Sequence, residues 1–123
     1  MAAELILIVE DNEKNLKLVR DLLQVKGYRT LEAETAELGI ELARSHTPHL
    51  ILMDIQLPGM DGVTALGQLK ANPRTAYIPV IALTAFAMPD DRQRLHSAGF
   101  DGYLVKPINI RELLEVVHER CER

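Results

Sequence analysis

Reactive side chains stand at the ends of four short apolar runs in this sequence. They comprise three carboxylates, a hydroxyl and an amine: Glu10, Asp11, Asp54, Thr84 and Lys106. The apolar runs before them are Leu5 to Val9, Leu50 to Met53, Val80 to Leu83 and Gly102 to Val105. Such runs are typical of strands buried on both faces of a parallel sheet. Because parallel strands end at one rim, where open α/β sheets bind ligands, we expect the five side chains to meet there.

The chemistry of this cluster follows from its charge. Three carboxylates within a few ångströms repel one another by several kcal/mol at an effective dielectric of about 20, so they favour a bound cation. Oxygen ligands suit Mg²⁺, which takes one or two carboxylates, some waters and a substrate phosphate. A carboxylate can then accept a phosphoryl group as an aspartyl phosphate, while Lys106 and a Thr84 hydrogen bond neutralise its oxygens. The pattern therefore predicts a magnesium-dependent site that receives a phosphoryl group.

Length and composition bound the class of protein. The 123 residues fit one domain, residues 1–123, which can bury a core without a metal or disulfide. The net charge is −4 and no Lys/Arg cluster forms, which argues against direct nucleic-acid binding. The longest nearly apolar stretch, Pro79 to Met88, is far too short to span a membrane, and no signal peptide is visible. The single cysteine, Cys121, fits a surface thiol in a reducing cytoplasm, so we expect a cytoplasmic location.

Segments whose apolar residues have helical spacing lie between the predicted strands. Asn12, Thr35, Asp61 and Asn109 are the predicted N-caps of four helices, and a very polar helix from Pro89 to Ala98 is expected to be the least firmly held. The buried faces predicted for the capped helices are Leu16, Val19, Leu22 and Leu23; Ala36, Ile40 and Ala43; Val63, Leu66 and Leu69; and Leu113, Leu114, Val117 and Cys121. With a weaker strand at Tyr28 to Ala33, the pattern predicts an α/β fold, a flavodoxin-like (βα)5 sandwich whose five parallel strands have the order 2-1-3-4-5.

Four motifs of the sequence resemble those of receiver domains in two-component response regulators, the CheY-like family. They are Glu10-Asp11-Asn12, Met53 to Gly62, Ala82 to Ala85 and Lys106-Pro107, in that order along the chain. The resemblance implies that Asp54 is the phosphoacceptor. It implies that Mg²⁺, for which Mn²⁺ can substitute, is bound by Asp11, Asp54 and the Gln56 backbone carbonyl, with Glu10 acting through a water. It further implies that Lys106 and Thr84 contact the phosphoryl oxygens, that the Lys106-Pro107 peptide is cis, and that Tyr103 is the aromatic switch residue.

Among receivers, three stretches are most similar to the DivK type of single-domain cell-cycle regulator and to the receivers of hybrid kinases. These are residues 9–13, 53–58 and 83–88. The implied function is a phosphorylation switch: a histidine kinase or phosphotransfer protein phosphorylates Asp54, and the changed surface contacts a downstream target protein. The phosphodonor is expected to contact Asn15, Leu16, Pro107 and Ile108. On this interpretation the protein is not an enzyme, apart from its own phosphorylation and slow autodephosphorylation.

Three other functions are compatible with parts of the pattern. A phosphatase with a nucleophilic aspartate, as in the haloacid dehalogenase family, needs a second acid two residues on, where this chain has Gln56. A flavodoxin-type binding module needs an uncharged, donor-rich loop after the first strand, and Glu10 and Asp11 would repel a phosphate there. A receiver that binds a partner without being phosphorylated would have no use for the complete set of site residues.

Overall fold

Five parallel strands form the centre of the molecule in a computed structural model that describes residues 4–85 and 88–121. The strands are β1 (Leu5–Val9), β2 (Arg29–Ala33), β3 (Leu50–Asp54), β4 (Val80–Thr84) and β5 (Gly102–Val105). The helices are α1 (Glu13–Val25), α2 (Ala36–His46), α3 (Gly62–Ala71), α4 (Pro89–Ala98) and α5 (Ile110–Cys121). The strand order β2-β1-β3-β4-β5 confirms the predicted flavodoxin-like topology.

The alternation of side chains along the strands divides the core into two layers. Ile6 and Ile8 point to one face of the sheet and pack with residues of α1 and α5. Leu7 and Val9 point to the other face and pack with residues of α2, α3 and α4. Every residue of β1, β3 and β4 is buried, which explains why these strands are continuous apolar runs.

The predicted cap residues begin their helices. Asn12, Thr35, Asp61 and Asn109 each accept a hydrogen bond from the backbone N–H three residues on, at 2.8 to 3.1 Å. Each bond satisfies one of the N–H groups that the first helical turn leaves without a partner. These caps set where α1, α2, α3 and α5 leave the rim of the sheet.

One predicted core position, Val63, and the expected surface thiol at Cys121 differ from the structure, and one glycine has a role that the pattern did not indicate. Val63 is 41% exposed, because the buried face of α3 passes through Gly62, Ala65, Leu66 and Leu69 instead. Cys121 is partly buried against the α1/α5 layer, so it is not a freely exposed surface thiol. In α2 the buried position beside Ala36 and Ala43 is Gly39, where a Cβ would lie 2.7 Å from a Val9 methyl carbon. The spacing prediction favoured Ile40, which is only partly buried.

Helix α4 is held to the body by few contacts. Leu95 is its one buried side chain, and Met88 at the N-cap position provides no side-chain hydrogen bond. Pro89 at the first helical position is tolerated because its missing N–H would have no partner there. Within residues 4–85 and 88–121, no helix has the length and apolar character that crossing a bilayer requires.

Candidate phosphoryl-accepting site

The carboxyl ends of β1, β3 and β5 bring the predicted site residues together. One carboxylate oxygen from each of Glu10, Asp11 and Asp54 can be chosen so that all three lie within 4.8 Å of one another. Asp54 is the last residue of β3, and Glu10 directly follows Val9, which pairs with Met53. The predicted convergence at one rim is therefore observed, and neighbouring strand register is its cause.

Lys106 lies between the two buried carboxylates. Its Nζ is 2.7 Å from Asp54 Oδ2 and 3.0 Å from Glu10 Oε1. The lysine is carried to this point by the end of β5, where its backbone N–H donates to the Thr84 carbonyl at 2.7 Å. The following peptide, Lys106-Pro107, is cis, as the sequence predicted. The Lys106 amine thus reaches the site from the end of β5, while the carboxylates lie at the ends of β1 and β3, and the lysine side chain is only 18% exposed.

Asp54 is held in its ionised form. Burial alone would raise the pKa of Asp54, but its hydrogen bonds with Glu10, the Lys106 amine and the Gln56 N–H lower the pKa below the ordinary value. The Gln56 N–H donates to Asp54 Oδ1 at 2.8 Å. The side chain is 3% exposed. An ionised, buried carboxylate with both oxygens positioned is suited to act as a nucleophile.

Glu10 has a less favourable environment. Burial, together with the neighbouring Asp54 carboxylate, raises the pKa of Glu10 to about 7. Its Oε2 accepts a hydrogen bond from the Asn12 N–H at 3.2 Å. Its Oε1 is buried and forms an ion pair with Lys106, but the angle of that contact does not make a hydrogen bond. One buried carboxyl oxygen is therefore left with unused capacity to accept a ligand.

The donor set fits a hard divalent cation. The cluster consists of oxygen atoms only, and two of its three carboxylates are buried while Asp11 is exposed. Oxygen ligands with open solvent on one side are the arrangement that Mg²⁺ favours, because it keeps several waters. The under-used Glu10 Oε1 points to the same conclusion. Gln56 is tied to Asp54 through its N–H, and the metal-binding role of its carbonyl stays a prediction.

Thr84 and Tyr103 lie on the same face of the sheet. Thr84 is fully buried at the end of β4. Tyr103 on β5 pairs with Ala82, two residues before Thr84, and residues two apart on a strand share a face. The guanidinium of Arg92 in α4 lies 5.6 Å from the centroid of the Tyr103 ring. Sequence reasoning missed Arg92, since an arginine on a polar helix carries no signal of a tertiary contact.

The residues expected to contact a phosphodonor are not equally accessible. Asn15 and Ile108 are half-buried and Pro107 is exposed, so all three can be reached from outside. Leu16 is 7% exposed and belongs to the α1/α5 layer, as its place on the predicted buried face requires, and its contact with a phosphodonor stays a prediction. The exposed large apolar side chains of α1 are Leu18, at 40%, and Val25, at 82%.

Gly62 packs against the backbone that carries Asp54. A Cβ at this position would lie 2.7 Å from Ile55 Cα and 2.8 Å from the Asp54 carbonyl oxygen. The Gly62 N–H donates to the Ile55 carbonyl at 3.3 Å. The first turn of α3 therefore clamps the end of β3 only because residue 62 has no side chain.

Comparison with known proteins agrees with this geometry. Residues 6–118 match the family model for the response regulator receiver domain. The chain is 45% identical over 112 residues to the polar-differentiation response regulator DivK of Brucella ovis, covering 91% of each protein. The receiver domain of the sensor histidine kinase PA1611 of Pseudomonas aeruginosa, solved with magnesium in its active site cleft, superposes with a TM-score of 0.90 at 33% identity, covering 99% of this chain and 100% of that one.

A co-crystal structure supplies a third relative. It contains the Saccharomyces cerevisiae histidine phosphotransfer protein Ypd1 and the receiver domain of the response regulator Ssk1, and it matches with a TM-score of 0.88 at 26% identity, covering 98% of this chain and 90% of that one. Family model, sequence relatives and solved structures all lead to one family. The chain belongs to the response regulator receiver family.

Proposed function

We propose that the protein is a phosphorylation switch in which Asp54 accepts a phosphoryl group from a phosphohistidine. The observation that carries the proposal is the position of Asp54: a buried, ionised carboxylate at the rim, with Lys106 at 2.7 Å and two further carboxylates beside it. In the reaction an Asp54 oxygen forms a bond to phosphorus as the phosphorus–nitrogen bond of the phosphohistidine breaks. The imidazole leaves with the electron pair, and the product is an aspartyl phosphate.

The residues around Asp54 have separate roles in this proposal. Glu10, Asp11, Asp54 and the Gln56 carbonyl would hold Mg²⁺, or Mn²⁺ in its place. When bound, such an ion supplies positive charge that offsets the carboxylates and the oxygens of the transferring group. Lys106 already contacts Asp54 and is placed to follow the new negative charge, and Thr84 donates a hydrogen bond to another phosphoryl oxygen. The site acts only on its own aspartyl phosphate.

The output is a change of surface. Thr84 moves toward the phosphoryl group and Tyr103 takes the space it leaves, which shifts an existing equilibrium in the face formed by α4, β5 and α5. Changing that equilibrium from 1:99 to 99:1 requires about 5.5 kcal/mol of differential stabilisation. A downstream target protein reads this face. A cytoplasmic location accompanies the proposal, since the lone cysteine suits a reducing compartment.

Histidine kinases or histidine phosphotransfer proteins are the proposed phosphodonors. The Ypd1–Ssk1 co-crystal is a precedent for a receiver of this fold in complex with a phosphotransfer protein. For this chain we propose contacts through Asn15, Leu16, Pro107 and Ile108, which lie on α1 and on the segment after β5. The whole chain, residues 1–123, is proposed to act as one receiver domain.

Intact-mass spectrometry with a small phosphodonor and Mg²⁺ tests the acceptor. The wild type should gain one phosphoryl group, and Asp54→Asn should gain none. Asp61→Asn is the matched control, because it changes a carboxyl seven residues away that only caps α3, and asparagine caps equally well. A phosphoryl group on Asp54→Asn, or none on the wild type, would contradict the proposal.

A further inference from the structure

A guanidinium from α4 covers the ring of the proposed switch residue. Arg92 Cζ lies 5.6 Å from the centroid of Tyr103, within the range in which a cation is attracted to the face of an aromatic ring. No carboxylate among residues 4–85 and 88–121 forms an ion pair with Arg92. The ring is thus the contact that orients this arginine within the described part of the chain.

The contact joins two elements that have little else in common. α4 buries only Leu95, and Arg92 lies one turn before it. Both side chains, with Tyr103 and Phe100, line a cavity of about 130 Å³ between α4 and β5. With a single buried anchor, the orientation of α4 depends more strongly on each remaining contact than that of a helix with a full apolar face.

We propose that Arg92 is a positioning residue for the switch: it holds Tyr103 in its present place and thereby opposes the phosphorylated state. This inference rests on the proposed function, because it assumes that Tyr103 leaves its present place when Asp54 is phosphorylated. The cation–π contact exists only while the ring stays under the guanidinium. An interaction made in one state alone shifts the equilibrium toward that state by its full strength.

Removal of the guanidinium should therefore favour phosphorylation. Cation–π contacts at exposed sites have a strength that corresponds to roughly a two- to fivefold change in an equilibrium constant. Arg92→Gln should lower the midpoint for beryllofluoride, an acyl-phosphate mimic, by that factor at saturating Mg²⁺. Simple loss of positive charge near the rim predicts the opposite sign, since the mimic is an anion. The direction of the shift separates the two explanations.

The experiment follows ring-labelled tyrosine by NMR during a beryllofluoride titration. The chain has three tyrosines, so the Tyr103 signal is assigned by its loss in Tyr103→Phe. Arg94→Gln is the matched control, because it removes the same charge from the same helix but from a residue paired with Asp91. Arg92→Lys keeps the charge and should restore most of the wild-type midpoint.

A double-mutant comparison completes the test, followed through the backbone amide signal of Thr84 in every variant, because Tyr103→Leu lacks the labelled ring. In a Tyr103→Leu background, which has no aromatic face, Arg92→Gln should leave the midpoint unchanged. Equal shifts in Arg92→Gln and Arg94→Gln, an upward shift, or an effect that persists in Tyr103→Leu would overturn the inference about Arg92 alone. A wild-type protein that gives no response to beryllofluoride with Mg²⁺ would overturn the proposed function and this inference with it.

Discussion

The buried carboxyl of Glu10 makes the stability of the metal-free protein depend on pH. Burial and the neighbouring Asp54 raise the pKa of Glu10 from its ordinary value of 4.5 to about 7. Below pH 4.5 the carboxyl is protonated in both the folded and the unfolded chain. Between pH 4.5 and 7 the folded protein keeps a proton that the unfolded chain releases, so stability falls as the pH rises. Above pH 7 the dependence ends, because both states are ionised.

The size of the effect follows from linkage. A carboxyl with these two pKa values reduces the free energy of unfolding by about 2 to 3 kcal/mol between pH 5 and pH 8. The Glu10 side chain is 1% exposed, so solvent screening removes little of this amount. The other two shifted groups of the site lie outside the window: the pKa of Asp54 is lowered and that of Lys106 is raised. We predict that Glu10→Gln removes this part of the pH dependence.

Urea unfolding in the presence of a chelator, at pH 5 and at pH 8, measures the difference. From pH 5 to pH 8 the free energy of unfolding of the wild type should fall by about 2 to 3 kcal/mol more than that of Glu10→Gln. Glu115→Gln removes an exposed carboxyl from α5 and controls for net charge. Parallel pH profiles for the wild type and Glu10→Gln would refute the argument that burial holds a proton on this residue.

Three further predictions concern the same rim and its supports. Mg²⁺ at about one hundred times its dissociation constant should raise the free energy of unfolding of the wild type by about 2.7 kcal/mol in urea titrations, and Asp11→Asn should lose most of this gain; an equal gain in both would exclude Asp11 as a ligand. Gly62→Ala should lower the free energy of unfolding by about 2 to 3 kcal/mol, because its Cβ meets backbone atoms of β3 and the residue after it. Gly67→Ala, with open space around it, should raise that free energy by up to about 1 kcal/mol. If urea unfolding showed Gly62→Ala to be the more stable of the two variants, the packing of Gly62 against β3 would be contradicted. Amide hydrogen exchange should be faster in α4 than in α5, which buries Leu113 and Val117, and equal protection would show that α4 is held by more than Leu95.

The strands and their order could be predicted because the signals were local. The apolar runs at β1, β3 and β4 are buried on both faces, so composition alone marks them, and the caps at Asn12 and Asp61 were read from single residues. The polar residue after each run marked the rim of the sheet. Fold and the clustering of the site therefore followed from short segments read independently.

The features that the sequence did not indicate all depend on contacts between distant segments. Helical spacing predicted Val63 as a buried position of α3, but the packing of that helix on the sheet buries Gly62 and leaves Val63 exposed. Position 62 requires glycine because the backbone at the end of β3 lies against it, and Arg92 contacts the ring of Tyr103 on β5. Spacing along one helix contains none of this information.

The weak attachment of α4 also affects how this protein can be changed. Nine of its ten side chains lie outside the core, so most substitutions there should have little effect on folding, typically within about 0.5 kcal/mol. On the proposed function, in which a target protein contacts α4, substitutions on this helix would alter target recognition with little effect on the fold that positions Asp54. A programme to redirect the protein toward a new target should randomise the outer surface of α4 first and keep Leu95 and Arg92 constant.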